Sequence, residues 1–398
     1  MTRRVLIIGA GIVGAAVADG LARREGFEVT VVDRGPRGGL LGATGHAPGF
    51  VTVLSESPVL TELALGSADL YSGLTTQPSG FDRIGGLEVA VTESALGHVE
   101  RRSRMAASMG IDARILGPGE AATLAPTFVD PETCLGALYF PGDAAARGSV
   151  LTGALVARAE EAGSRFRYDT ACTAFSLRGS RVTGVRTSAG ERIDADDVVI
   201  AAGIWASQIA SLAGLDAPLT PIAHPYVYGP TRRKAPSAPQ PFVKWRTETV
   251  YARDHGDRFG IGTHTNDGPA VDVAALHEAE LPWPANDFDS GIESALRLLP
   301  PDHRFGVAER LNGMFSMTAD GMPLLGPSTS VDGLWIAGSL WLTHAGGAAR
   351  VLVDLMSGHA PRIDGLDAML PERFAGHERD DLTARALNNY RRIWMPAD

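Results

Sequence analysis

Residues 5–18 read Val-Leu-Ile-Ile-Gly-Ala-Gly-Ile-Val-Gly-Ala-Ala-Val-Ala: an apolar run, then Gly9-x-Gly11-x-x-Gly14, then helical spacing. A second apolar run, Phe27-Glu-Val-Thr-Val-Val-Asp33, ends on an acid. Each glycine has a mechanical reason. Gly9 permits the tight turn, Gly11 lets the backbone approach a pyrophosphate, and Gly14 lets helix and strand pack closely. The helix start offers free N–H groups and a positive dipole end to phosphates, and Asp33 accepts hydrogen bonds from a ribose. Strand, turn, helix, second strand and acid stand in the order that an adenine dinucleotide site requires.

The chain is long enough, at 398 residues and 44% apolar composition, to bury two interwoven domains. Its net charge of −10 is spread out, and no basic run is long enough for nucleic acid. Cys134 and Cys172 have no paired spacing, which argues against a disulfide framework or a metal site and for a reducing compartment. The stretch from Val5 to Ala18 is too short to span a bilayer. Arg3-Arg4 before it mimics a signal peptide, but a Rossmann strand explains the run better. A soluble cytoplasmic protein with no membrane partner is expected.

Further along, glycine density at 35–49 marks a loop where backbone comes close to something. The patterns predict helices over 57–72, 93–109 and 149–162, a strand over 85–92, and a hairpin of 171–177 with 181–187. Residues 196–202 read as a buried parallel strand ending at Gly203 and Trp205. The stretch 218–311 reads as a more β-rich unit with a helix near 290–299. A late strand, 333–338, precedes Gly346 and Gly347 and a helix over 348–357, and residues 382–394 form an amphipathic tail. The expected fold class is α/β. A Rossmann-like domain over 1–84, 142–217 and 312–362 interleaves with a β-rich substrate domain over 85–141 and 218–311, and residues 363–398 form the tail. One glycine fingerprint with its acid, not two, implies that electrons leave to a small acceptor or a partner protein.

Together, Gly9–Gly14, Val198-Val-Ile-Ala-Ala-Gly-Ile-Trp205 and Thr318-Ala-Asp-Gly-Met-Pro-Leu-Leu-Gly326 resemble the D-amino-acid oxidase, glycine oxidase and sarcosine oxidase class of FAD enzymes. Within that class the likeness is to the flavin half of dimethylglycine oxidase and dehydrogenase. Residues 45–51, 85–90, 223–226, 255–262 and 340–346 carry it. Two departures stand out. The folate-binding half of those proteins has no counterpart in these residues, and their Thr-Pro-Asp-Gly reads Thr318-Ala-Asp-Gly.

The resemblance implies FAD held covalently through His46, whose bland reading is a loop histidine bonded to backbone. It implies a flavin-lining loop at Thr44, an adenosine end flanked by Asp33 and Arg34, and a strand backbone at Cys172 meeting the adenine. It also implies cofactor contacts from Gly203, Trp205, Gly338, Thr343 and His344, and helix N–H groups at Gly346 and Gly347 aimed at the flavin. His224 becomes a candidate base, and both it and Tyr251 match residues lining the substrate side of the flavin; their bland readings are a core histidine bonded to a backbone carbonyl and simple packing. Tyr251 and Arg253 share a strand face, so Arg253 is a candidate carboxylate anchor, with a structural ion pair as the alternative. Trp341 reads as pocket wall. Lys234 and Lys244, the only lysines, are candidates for the charge that speeds oxygen attack.

The implied reaction is hydride transfer from a secondary or tertiary amine to flavin N5, giving an iminium that hydrolyses, with O2 or a protein as electron acceptor. A primary or cyclic amino acid, or a specialised biosynthetic intermediate, is the alternative substrate. A flavin-binding electron-transfer subunit, docking through the tail, is the rival from another class.

Overall fold

A computed structural model describes residues 2–233, 238–264 and 268–394; Lys234 lies outside them. Two large sheets dominate. The first runs in the order Leu324–Pro327, Leu334–Gly338, Asp197–Ile200, Arg3–Ile8, Phe27–Val32, Arg165–Arg167. It is parallel except at the Leu324–Pro327 edge. Its central strands carry near-continuous apolar runs because helices cover them. The Ile12–Ala22 helix is apolar but for Asp19, which pairs with Arg158, and it packs between the Gly148–Glu161 and Ala345–Met356 helices.

The second sheet has eight strands: Glu309–Met317, Thr220–Tyr228, Phe259–Thr263, Val250–Asp254, Phe242–Trp245, Gly86–Ala90, Gly136–Phe140, Arg114–Leu116. Only the Phe242–Trp245 and Gly86–Ala90 pair is parallel. Register places Glu88, Lys244, Tyr251 and Gly262 in one row across four strands. Residues opposite one another share a face, so this row points one set of side chains at a common surface.

The predicted elements are found with small shifts. The helix after Ser57 is Pro58–Ser72, and the hairpin is Cys172–Arg178 with Arg181–Thr187. The late helix begins at Ala345, before the predicted 348, because Gly346 and Gly347 are themselves helical. The expected boundary at 311/312 falls inside a strand. Glu309–Met317 pairs along its length with Thr220–Tyr228, so residues 312–317 belong to the larger sheet. The tail helix, Arg379–Arg391, buries Leu382, Ala386 and Tyr390 against its own chain, so its apolar face is already covered. Among the described residues no helix is long and apolar enough to cross a membrane.

Candidate active site

The parallel sheet presents its fingerprint at the mouth of a cavity of about 820 Å³, and the larger sheet closes the same cavity from the other side. Gly9 sits at φ +110°, and a Cβ there would lie 2.4 Å from the Ala201 carbonyl oxygen. Gly14 is equally enforced: its Cβ would lie 1.8 Å from the Gly9 carbonyl oxygen, the close helix–strand contact expected of it. At Gly11 a Cβ would meet only Thr44 Oγ1, at 3.2 Å, so this position opens onto the cavity. Thr44 also accepts from the Ile12 N–H.

Asp33 holds the loop as well as facing the cavity. Its two oxygens accept from the Ala10 N–H at 2.6 Å and the Gly35 N–H at 2.8 Å. Arg34 lies over the Trp205 ring at 3.8 Å, and both line the cavity with Cys172 and Gly203. Burial pushes the Cys172 thiol up to about 11, so it contributes no thiolate.

Other expected contacts fall elsewhere. Gly338, His344, Gly346 and Gly347 do not line the cavity. Cβ atoms on Gly346 and Gly347 would strike Ser67 Cα and the Leu63 carbonyl oxygen, so these glycines exist for close crossing of the Pro58–Ser72 helix. The Gly347 N–H already donates to Ser67 Oγ at 2.9 Å, and the Ala345 N–H to the Trp341 carbonyl at 3.0 Å. The cavity wall instead comes from the turn before that helix, Ser339 to Thr343. Thr343 Oγ1 donates to the Phe50 carbonyl oxygen at 2.9 Å.

Arg253 is likewise no carboxylate anchor. Its buried guanidinium donates to the carbonyls of Pro48 at 2.7 Å and Gly49 at 2.9 Å, and it is absent from the cavity wall. It ties the loop that follows His46 to the larger sheet.

At the larger sheet's side, His224 bridges two phenols: Nδ1 to Tyr390 Oη at 2.7 Å and Nε2 to Tyr251 Oη at 2.5 Å. Burial lowers the His224 pKa to about 3 and raises Tyr251 well above the ordinary phenol. A neutral imidazole has one N–H, so it donates to one phenol and accepts from the other. Tyr390 Oη has a second acceptor within 3.4 Å, the Ala223 carbonyl. That favours Nδ1–H donating to Tyr390, and Tyr251 donating to Nε2 while its lone pairs face the cavity.

Sequence reading missed Tyr390, His264 and Trp394. His264 packs 4.5 Å from His224, and Trp394 packs 5.2 Å from His264 and 5.8 Å from Tyr251. No local motif announces them, because they converge from a strand end and the tail. His46 also gains neighbours that spacing could not show, the exposed carboxylates of Glu278 and Glu280 at 3.7 and 4.0 Å.

Four cavity-lining side chains carry buried polar atoms with no hydrogen-bond partner: His46 Nε2, His264 Nδ1, Ser316 Oγ and Trp341 Nε1. Buried polar groups are nearly always satisfied, so this set marks where a polar ligand completes the structure. With the Gly11 opening and the Asp33 carboxylate, the lining fits a long dinucleotide that carries a polar ring system.

Known proteins agree. Mouse (Mus musculus) mitochondrial dimethylglycine dehydrogenase is 26% identical over 97% of this chain, which spans 46% of that protein's length. A D-amino acid dehydrogenase of Cereibacter sphaeroides is 29% identical, over 97% of this chain and 98% of its own. The crystal structure of L-proline dehydrogenase from P. horikoshii superposes with a TM-score of 0.81 at 20% identity, over 94% of this chain and 98% of its own, and shows the shared fold. The chain thus spans about half the length of the dimethylglycine dehydrogenase it matches. The family model described as FAD dependent oxidoreductase matches residues 4–355, and the protein belongs to that family.

Proposed function

We propose that the protein oxidises a secondary or tertiary amine of the N-methyl amino acid kind, with FAD bound covalently through His46 and O2 as the final electron acceptor. The observation that carries this reading is the Tyr390–His224–Tyr251 chain of hydrogen bonds, buried and uncharged, against the cavity. Bound FAD supplies the two-electron acceptor, and the protein binds, orients and controls protonation.

His224 was a candidate base, and the magnitudes argue for a different role. An alkylammonium titrates near 10, so transfer to a group at about 3 spans roughly 7 units, about 10 kcal/mol. The pair therefore selects the amine that arrives neutral. Tyr251 Oη accepts from a substrate N–H or packs against its methyl groups, and His224 fixes the direction of the Tyr251 proton. An ammonium would be stripped of water among neutral groups, which disfavours it. Loss of hydride from the carbon beside the nitrogen leaves an iminium, which water hydrolyses to formaldehyde and the demethylated amine when that carbon is N-methyl.

His46 lines the cavity with no hydrogen bond at Nε2, which supports its role as the attachment point. Acid-precipitated wild type should stay yellow, whereas His46→Ala should release its flavin to the supernatant. Arg34, stacked on Trp205, is expected to flank the adenosine with Asp33. Free, buried Cys134 and Cys172 suit a reducing, cytoplasmic setting.

The deciding experiment is anaerobic bleaching across N-methylated amines and amino acids, with formaldehyde and ammonia assayed as products. Bleaching by N-methyl compounds with formaldehyde supports the reading. Bleaching by primary amino acids alone, with ammonia, would replace it with the second reading, which likeness to a D-amino acid dehydrogenase favours. Flavin that no amine can reduce would overturn both.

A further inference from the structure

We propose that Lys244 is the carboxylate-binding half of the substrate site, so that the substrate is an α-amino acid held between its ammonium and the Tyr251 hydroxyl. This rests on the amine-oxidation reading of the same cavity.

Lys244 is the charged residue in the short apolar strand Phe242-Val-Lys-Trp245. It is 6% exposed and lines the cavity. Among the described residues its ammonium makes no hydrogen bond or ion pair; it lies instead over the rings of Trp394 at 5.4 Å and Phe242 at 5.7 Å. A buried ammonium without an acceptor is costly, so a group at that position has reason to be there.

Arg101, Arg102 and Arg246 are committed to Glu56 and Glu88. Arg246 also donates to the Trp394 carbonyl at 2.6 Å, which pins the tail beside Lys244. The remaining carboxylate, Asp143, accepts from the Val53 N–H; burial raises its pKa, and it and Lys244 attract one another from beyond ion-pair distance. Four bases, Arg101, Arg102, Arg246 and Lys244, thus face three acids, Glu56, Glu88 and Asp143, and Lys244 is the one of the four that lines the cavity. Burial lowers Lys244 only to about 8, so the ammonium keeps its proton at neutral pH.

Register supplies the spacing. Lys244 and Tyr251 are directly opposite on neighbouring strands, and their Cβ atoms are about 5 Å apart by strand geometry. A carboxylate and a nitrogen separated by one carbon can reach both side chains at once. Arg253, the anchor expected from sequence, has spent its donors on backbone carbonyls.

The test uses methoxyacetate, the oxygen counterpart of N-methylglycine with no nitrogen to oxidise, and its neutral relative 2-methoxyacetamide. Each is titrated into the holoenzyme and read as a shift of the flavin absorption bands. The acid should bind about 10- to 100-fold more tightly than the amide, as one buried charge-assisted hydrogen bond allows. Lys244→Met should erase that preference, and Lys244→Arg should keep part of it. Equal affinity for acid and amide in the wild type, a comparison that needs no variant, overturns the proposal. So does a Lys244→Met holoenzyme that retains the preference and loses only its rate of reoxidation by O2. If the acid binds with this pattern while no amine bleaches the flavin, the anion subsite stands and the amine-oxidation reading alone falls.

Discussion

Acidification through pH 6.5 should destabilise this protein, because four histidines are held neutral inside it. Burial lowers His224 to about 3 and His344 to about 4, and takes His264 well below its ordinary value. His255 falls too, from burial and from Arg253, Arg258 and Arg147 beside it. In the unfolded chain each would titrate near 6.5. Between the folded and unfolded values the unfolded chain binds the extra protons, so stability is lost as pH falls through 6.5. Each histidine then costs about 1.4 kcal/mol at pH 5.5 and about 2 kcal/mol at pH 5.0.

Asp143 works in the opposite direction, because its folded pKa is raised to about 7 and protonation favours the folded chain as pH drops. It returns about 2 kcal/mol at pH 5.5, which leaves a net loss of about 3.5 kcal/mol there and about 5 kcal/mol at pH 5.0. With an unfolding entropy of roughly 2.1 cal/mol/K per residue, the melting temperature should fall about 4 °C and about 6 °C from its value at pH 7.5. Thermal unfolding of the holoenzyme, followed by tryptophan fluorescence across pH 5.0–7.5, measures this directly. His264→Gln should recover about a quarter of the histidine contribution. A melting temperature that is flat or rises between pH 7.5 and 5.5 would refute the reasoning. So would a flavin-reduction profile with a limb near 6.5 that disappears in His224→Asn.

Four further outcomes are expected. Gly347→Ala places a Cβ 2.2 Å from the Leu63 carbonyl oxygen, so it should destabilise the fold by about 1–3 kcal/mol. Gly97→Ala, in a helix with nothing within 4 Å, should stabilise by about 0.5–1 kcal/mol, and comparing the two melting temperatures checks both. Tyr390→Phe leaves His224 Nδ1 without its partner and should slow anaerobic flavin reduction about tenfold, with reoxidation unchanged; equal loss in both half-reactions in stopped-flow absorbance would count against it. His224→Ala should slow reduction further, again sparing reoxidation.

The nucleotide half of the site was legible because it is local. Gly9, Gly11, Gly14 and Asp33 lie within 25 residues, and their spacing follows from one strand–turn–helix unit whose geometry is nearly fixed. The late glycines had the same local signature but a different cause. A pair such as Gly346-Gly347 reads alike whether a ligand or another helix approaches, and only the position of the Pro58–Ser72 helix distinguishes the two. Arg253 shows the same ambiguity: alternation put it on the face of Tyr251, yet the loop carbonyls at Pro48 and Gly49 reach its guanidinium first. Tyr390 and Trp394 stood in a tail whose pattern reported only amphipathicity. Their meeting with His224 and Lys244 depends on which strands the tail covers, and the sequence carries no spacing for that.

One strand joins the two chemical tasks proposed for this cavity. Tyr251 and Arg253 are two residues apart and point the same way from the Val250–Asp254 strand. The first meets His224, and the second grips the carbonyls of Pro48 and Gly49, immediately after His46. Gly49 is at φ +81°, and a Cβ there would strike the Ala146 carbonyl and the Arg253 guanidinium, so the loop fits only in this one closely packed path. The separation between His46, the proposed attachment point, and the Tyr251–His224 pair proposed to meet the substrate nitrogen is therefore held by a central strand of an eight-stranded sheet rather than by loop contacts alone. Such a rigid spacer suits a reaction that depends on placing one carbon–hydrogen bond against a ring. It also explains why a buried arginine that makes no ion pair among the described residues is spent on backbone carbonyls.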